Sequence, residues 1–140
     1  MAVNTRGLFE CVKAVLPVTR RERYGKIINI TSVTVFKGRP MMLHYVASKG
    51  AVVAVNRAMA HELGEHGICC NALAPDLTLS DAIMGRNDYG GVRALNVQSR
   101  SLKREGMPDD LVGALPFLAS HDSDFMTGQT LLVDGGSAMH

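Results

Sequence analysis

Tyr45 and Lys49 lie four residues apart in a stretch with a helical pattern. Residues at this spacing share one face of a helix, so a phenol and an ammonium are placed side by side. A phenol normally loses its proton near pH ~10, and a cation within reach favours the tyrosinate. Such a pair can exchange a proton with an alcohol or a carbonyl near neutral pH. The spacing by itself is weak evidence, because the same pair occurs by chance in many helices.

The residues that precede Tyr45 supply the context. Ser32 follows the apolar run Ile27–Thr31, which is typical of a buried parallel strand. Strand tips are where open α/β sheets carry their chemistry. In order and spacing, Asn4, Ser32, Tyr45 and Lys49 resemble the Asn-Ser-Tyr-Lys tetrad of the short-chain dehydrogenase/reductase family.

The resemblance covers essentially the whole chain. Residues 25–32 resemble the family's fifth strand, residues 67–75 its sixth, and residues 126–136 its closing strand and turn. The family begins with a Gly-rich turn that cradles the cofactor pyrophosphate, and the sequence contains no G-x-G-x-x-G cluster. The resemblance implies that residues 1–140 form the C-terminal part of a single NAD(P)-binding Rossmann-type domain whose N-terminal cofactor-binding half is absent. That half would add four strands and their helices, or ~90 residues or more at ~30 per βαβ unit.

The sequence pattern also predicts an α/β fold. The predicted elements are a helix over 2–22, a strand over 26–31, a helix over about 42–65, a strand over about 69–74, a helix over 108–119 and a strand over 130–133. This alternation indicates a Rossmann-like parallel sheet with helices on both faces, and the resemblance makes it three strands of a seven-stranded doubly wound sheet. Pro75 is expected to break the second strand and Asp109 to cap the last helix. Residues 76–106 carry little helical pattern and are interpreted as a mobile substrate lid.

The resemblance implies a role for each of the four residues. Tyr45 would exchange a proton with the substrate oxygen, and Ser32 would hold that oxygen. Tyr45 and Lys49 would also contact the cofactor, Lys49 through the nicotinamide ribose. Asn4 would organise a water that relays protons from Lys49. The alternatives are an ordinary helix tyrosine, a surface lysine and a strand-end serine in a local turn. We expect Ser32, Tyr45 and Lys49 to converge on one side of the sheet.

The segment after the second strand resembles the family's nicotinamide loop. Pro75, Thr78 through its backbone and Ser80 through its side chain are the implied cofactor-binding residues. Asp76 stands where the family usually has Gly, and Cys69 where Arg is common. A charged side chain at position 76 is expected to weaken cofactor binding, and both departures permit the interpretation that the chain is decaying from selection on activity. The residues that distinguish NAD from NADP belong to the missing half.

Composition narrows the class of protein. The chain has 140 residues, 46% of them apolar, and a net charge of +2, which favours one soluble domain with no strong attraction to nucleic acid. No signal peptide or membrane span is predicted, so we expect a cytoplasmic protein. Cys11 and the adjacent Cys69 and Cys70 fit neither a disulfide framework nor a metal motif, and we predict that all three are buried. His61 and His66 are five apart and point ~140° apart on a helix, so no metal site is predicted.

Two hypotheses follow. The first is an oxidoreductase that interconverts a secondary alcohol and a ketone with NAD or NADP, and that is a dimer or tetramer in full-length form. The second is a truncated, non-catalytic half-domain that at most associates with relatives, because the helices beginning near Val3 and Met42 resemble the family's subunit interface. The unpaired apolar edge at Ile27–Thr31 predicts an oligomeric or aggregation-prone chain. Four apolar residues of the lid favour a substrate with a hydrophobic substituent over a sugar phosphate: Leu77, Leu79, Ile83 and Met84.

Overall fold

A computed structural model describes residues 2–86 and 90–139 of the chain. The strands are β1 (Gly25–Ile30), β2 (Ile68–Pro75) and β3 (Thr130–Val133). The helices are a π-helical turn (Ala2–Gly7), α1 (Leu8–Glu22), α2 (Thr34–Lys37), α3 (Leu43–Gly64), α4 (Asp81–Met84), α5 (Gly90–Ser99), α6 (Asp109–Val112), α7 (Ala114–Ala119) and a 3₁₀ turn (His121–Ser123). None of the helices in these two ranges is long and apolar enough to cross a bilayer.

The three strands form one parallel sheet in the order β1-β2-β3. Gly25 pairs with Ile68 at the start of the β1–β2 ladder, and Ala72 pairs with Thr130 at the start of the β2–β3 ladder. The predicted α/β architecture is therefore confirmed. Within the described residues β1 pairs only with β2, so the predicted unpaired edge of β1 is also confirmed.

Helices pack on both faces of the sheet, as predicted. On one face α1 and α3 enclose the main core with residues of β1 and β2; its members are Val12, Met59, Ala60, Leu63, Ile68 and Cys70, flanked by Leu8, Leu16, Ile27 and Val55. Successive strand residues point to opposite faces, so Lys26 points away from this core. Lys26 Nζ donates to Ser123 Oγ at 3.2 Å, and α7, which ends just before Ser123, contacts β1 and β2. Residue Leu118 of α7 is buried there.

Buried amides fix the position of α3 and β3 relative to the sheet. Asn29 Nδ2 of β1 donates to Asn56 Oδ1 of α3 at 2.9 Å, and both residues are buried. Asn71 Nδ2 of β2 donates to the Met126 carbonyl at 2.6 Å, and its Oδ1 accepts from the Gln129 amide at 3.0 Å. A buried amide that is left without partners costs about 1–3 kcal/mol, so these bonds define one arrangement of the elements.

The structure corrects the predicted end of β2. Pro75 is the last residue of the strand and pairs with Val133, whereas the sequence pattern predicted a strand that Pro75 breaks. Proline lacks only the amide hydrogen, and its carbonyl still accepts from the Val33 amide at 3.0 Å. The ladder can therefore include Pro75 as a terminal residue.

The second half of the chain is more helical than predicted. The segment 76–106 contains α4 and the ten-residue α5. The predicted final helix is two short helices, α6 and α7, on either side of Gly113. Asp109 does not cap α6; instead the carboxylate of Asp110 accepts the Met107 amide at 2.8 Å. The predicted cap at Asp109 is therefore wrong, because Asp110 is the residue that reaches back from within the helix.

Candidate active site

A cavity of about 620 Å³ lies beyond the C-terminal ends of β1 and β2. Parallel strands present their C-terminal ends at the same edge of the sheet, which is where α/β folds bind ligands. The lining residues come from the segments after both strands, from the start of α3 and from the lid segment: Ser32, Thr34, Arg39, Met42, Tyr45, Pro75, Asp76, Leu77, Thr78, Ile83, Arg86, Val92 and Leu111. The structure therefore places Ser32, Tyr45, Pro75 and Thr78 around one space.

Ser32 follows β1 and is buried. Its Oγ accepts hydrogen bonds from the Thr34 amide at 3.3 Å and from Thr34 Oγ1 at 3.0 Å. A hydroxyl has two acceptor lone pairs and one donor hydrogen. Because Thr34 occupies both acceptor positions, the Ser32 hydrogen is left to donate. Ser32 therefore makes the local turn that was the alternative to a catalytic role. Ser32 also lines the cavity, so the turn does not exclude that role.

Tyr45 and Lys49 are on successive turns of α3. Tyr45 is half-buried and lines the cavity, and Lys49 Nζ lies 6.0 Å from the centroid of the Tyr45 ring. Lys49 Nζ donates to the Ile30 carbonyl at 2.9 Å, and Lys49 lines a separate groove along β1. Burial lowers the pKa of Lys49, since an apolar surrounding disfavours the ammonium. Lys49 thus lies behind Tyr45, on the side of the open sheet edge.

Asn4 lies in the π-helical turn and lines the same groove as Lys49. Asn4 Nδ2 donates to Ser48 Oγ at 3.0 Å, and Ser48 Oγ donates to the Tyr45 carbonyl at 2.8 Å. Short π-helical turns are frequent at functional sites. The structure therefore connects Asn4 to α3 between Tyr45 and Lys49.

The loop after β2 is only partly directed at the cavity. Thr78 lines the cavity, and its Oγ1 donates to the Asp76 carbonyl at 3.1 Å. The Leu79 amide donates to the Gly106 carbonyl at 2.8 Å, which ties the loop to the end of the lid segment. Ser80 is exposed and is not among the lining residues, so the structure does not bring it to this site.

Asp76 has a side chain that is only 5% exposed and is surrounded by donors. Its carboxylate accepts from Lys37 Nζ at 2.9 Å, Ser137 Oγ at 2.9 Å and Asn96 Nδ2 at 3.2 Å, and Arg100 Nε lies 3.4 Å away. Burial raises the pKa of Asp76, but the hydrogen bonds from Lys37, Ser137 and Asn96 outweigh it, so the pKa lies below its ordinary value. The charge at this position is therefore compensated by two cations from distant segments.

Lys37, Arg39 and Arg100 belong to no motif that the sequence pattern predicts to be functional. Arg39 lies between the two predicted elements 26–31 and 42–65, and Arg100 is in the segment interpreted as a mobile substrate lid. The lone Asp after Pro75 was the available signal, because a charge at a buried strand end requires a partner. The identity of that partner could not be predicted, since 24 residues separate Asp76 from Arg100.

The prediction that all three cysteines are buried is wrong for Cys11, which is exposed, whereas Cys69 is half-buried and Cys70 is buried. Cys11 is exposed because it lines the open groove along β1, together with Val12. Burial, together with the neighbouring Cys69, raises the pKa of Cys70 to about 11. The residues described contain no group of three or more His, Cys, Asp or Glu side chains that could hold a metal ion.

A family model described as enoyl-(acyl carrier protein) reductase matches residues 1–138 of the chain. The chain belongs to the short-chain dehydrogenase/reductase family. It is 37% identical over 136 residues to a 3-oxoacyl-(acyl-carrier-protein) reductase of Staphylococcus epidermidis, covering 97% of this chain and 55% of that protein. The chain thus spans about half the length of the curated relatives it matches.

Solved structures of the family share the fold. A gluconate 5-dehydrogenase from Burkholderia cenocepacia, in complex with NADP and tartrate, superposes with a TM-score of 0.89 at 37% identity, over 98% of this chain and 54% of that one. A 3-oxoacyl-(acyl-carrier protein) reductase from Brucella melitensis with bound NAD gives a TM-score of 0.88 at 32% identity, over 99% of this chain and 50% of that one. In both comparisons the similarity extends over nearly all of this chain but over only about half of the solved structure.

Proposed function

We propose that this chain carries the catalytic half of an NAD(P)-dependent oxidoreductase that interconverts a secondary alcohol and a ketone. The observation that carries the proposal is the cavity in which Ser32 and Tyr45 meet the loop of Pro75 and Thr78 at the strand ends. The relatives solved with NADP and NAD support the choice of cofactor.

The residues present fit the nicotinamide end of such a cofactor. Pro75 and Thr78 line the cavity beside Tyr45, and the amine of Lys49 lies one turn farther along α3. We assign Tyr45, Lys49, Pro75 and Thr78 to this end of the cofactor. Ser80, which the resemblance also assigns, would reach it only after a rearrangement of the loop. When bound, the nicotinamide supplies or accepts the hydride.

The remaining chemistry belongs to the side chains. Ser32 donates its free hydrogen to the substrate oxygen, where negative charge develops during reduction of a ketone. Tyr45 gives a proton to that oxygen in reduction and takes one from the alcohol in oxidation. Lys49, with its pKa lowered by burial, resupplies the proton, and Asn4 lies in the same groove to position a water on that route.

We further propose that residues 1–140 are the C-terminal part of one Rossmann-type domain. The open edge of β1 and the half-length matches to relatives support this, as does the absence of a Gly-rich turn from the sequence. For the isolated chain the alternative, a non-catalytic half-domain, has its own support. The ammonium of Lys49 is engaged by the Ile30 carbonyl, and the groove beside it is open.

The test compares the chain with a fusion in which the N-terminal half of the Staphylococcus epidermidis reductase precedes Met1. Fluorescence titration with NADH and NADPH should give saturable binding for the fusion and none for the 140-residue chain. With a ketone substrate, the fusion should consume reduced cofactor, and Tyr45→Phe should lower kcat by at least ~100-fold, the usual contribution of a positioned acid or base.

Tyr24→Phe is the matched control, because the Tyr24 ring packs against His121 and Tyr24 does not line the cavity. It should leave kcat within about twofold of the parent fusion. A fusion that binds the cofactor but reacts equally well with Phe at position 45 would refute the role of Tyr45. Saturable binding of NAD(P)H by the chain without the added half would refute the proposed division of the domain.

A further inference from the structure

The charges that line the cavity are unbalanced. Arg39 is cationic, and Asp76 is the acidic residue among the lining residues that the structure describes. The Asp76 carboxylate is already engaged by Lys37, Arg100 and two neutral donors. The Asp76 carboxylate is therefore held by these four groups and does not neutralise Arg39.

Arg39 is half-buried in the loop between α2 and α3. Its backbone amide donates to the Thr34 carbonyl, which holds the loop against the turn after β1. Within residues 2–86 and 90–139, the Arg39 guanidinium has no carboxylate, carbonyl or hydroxyl group as a hydrogen-bond partner. A guanidinium carries five donors in a planar fork that matches a carboxylate, and it keeps its charge at any physiological pH. A half-buried guanidinium beside a cavity thus has unused capacity for an anion.

The rest of the lining is largely apolar, with Met42, Leu77, Ile83, Val92 and Leu111. Hydrogen-bond donors to a carbonyl oxygen come from Ser32 and Tyr45. The cavity therefore combines a position for a carbonyl or hydroxyl group, an apolar wall and a cationic position. These features match a molecule that has an oxygen to be reduced or oxidised and a separate anionic group.

We propose that Arg39 binds the carboxylate of the substrate, and that the substrate class is a free oxo or hydroxy carboxylic acid with an apolar chain. The proposal rests on the proposed oxidoreductase function and adds a selectivity to it. Because a thioester or ester of the same acid lacks the charge, Arg39 would favour the free acid over the esterified one. A carboxylate that pairs with two guanidinium nitrogens is bound more strongly than a neutral group at the same place.

The experiment measures binding rather than turnover, so that it is independent of the cofactor and of the missing half. The 140-residue chain is titrated with 3-oxohexanoate and, separately, with methyl 3-oxohexanoate, and binding is followed by amide chemical shifts. The free acid should bind at least about tenfold more tightly than the ester. Arg39→Gln should abolish that preference by weakening the acid and not the ester, and Arg39→Lys should retain part of it.

Arg57→Gln is the matched control, because Arg57 is an exposed arginine of α3 that lines a different cleft. It should leave the preference unchanged, as should Tyr45→Phe, which removes the proposed proton donor and keeps Arg39. Equal affinities for acid and ester, absence of saturable binding of both, or a preference that survives Arg39→Gln would each overturn the proposal. The two proposals can fail separately. If the fusion shows no turnover but the chain and its Tyr45→Phe variant both keep the preference for the acid, the proposed function fails and the carboxylate site stands.

Discussion

Replacing Asp76 by Asn should destabilise the chain strongly. The Asp76 side chain is 5% exposed, and it is paired with Lys37 and Arg100, whose side chains are 19% and 4% exposed. Removing one member of a buried ion pair leaves an uncompensated charge and typically costs 3–5 kcal/mol. Lys37 can turn partly to solvent, so we take the lower end and expect a loss of about 3 kcal/mol in the free energy of unfolding.

Urea unfolding at one fixed protein concentration measures this loss. With an m value of about 1.5 kcal/mol/M, the expected loss lowers the midpoint by about 2 M. Glu10→Gln is the control, because Glu10 and Arg6 form an exposed pair at 3.8 Å. It should change the stability by less than ~0.5 kcal/mol. A midpoint for Asp76→Asn within about 0.3 M of the parent would refute the assignment of Asp76 as the buried anchor of the lid segment.

A double variant sharpens the test. Arg100→Met removes the buried cation, so combining it with Asp76→Asn should cost less than the sum of the two single changes, by about 1 kcal/mol or more. Strict additivity would show that the two groups do not interact. The pH dependence has a defined sign, because the folded pKa of Asp76 is lowered. Its stabilisation is complete above the unfolded value of about 3.9 and is lost as the pH falls through the lower folded value. The gap between parent and Asp76→Asn should be constant from neutral pH to about pH 5 and should narrow below about pH 4.

Three further outcomes are expected. A thiol reagent should modify exposed Cys11 in the native chain and leave Cys70 unmodified, since Cys70 is buried with its pKa raised to about 11; equal labelling of both would contradict the packing of β2. Met41 is exposed and has a backbone φ of 64°, in the left-handed region that disfavours every residue with a Cβ atom. In urea unfolding, Met41→Gly should therefore raise the unfolding free energy by about 1 kcal/mol, whereas Met41→Ala should not; equal stability of the two variants would refute backbone strain at this residue. The chain should self-associate in sedimentation, because β1 has an open edge and Phe9 and Val18 are exposed on α1; a compact monomer at every concentration would contradict this.

The sequence alone determined the parts of the fold that depend on local pattern. The apolar run before Ser32 predicted β1, and the long helix that carries Tyr45 and Lys49 was predicted to within about one residue at each end. Alternation of helices and strands was enough for a parallel sheet, because parallel strands need crossover connections. The order of Asn4, Ser32, Tyr45 and Lys49 was also sufficient to identify the family.

Tertiary structure decided the features that depend on contacts between distant segments. The sequence did not show that Asp76 is buried between Lys37 of α2 and Arg100, which follows α5. It also did not show that residues 76–106, whose helical pattern is weak, contain the helices α4 and α5. It also did not show that Lys49 turns to the Ile30 carbonyl, or that Arg39 lines the cavity with Tyr45. Local propensity acts over a few residues, whereas a buried charge is stabilised by whichever groups the fold brings within hydrogen-bond distance. The partners of Asp76 are therefore a property of the packed chain, and no spacing in the sequence encodes them.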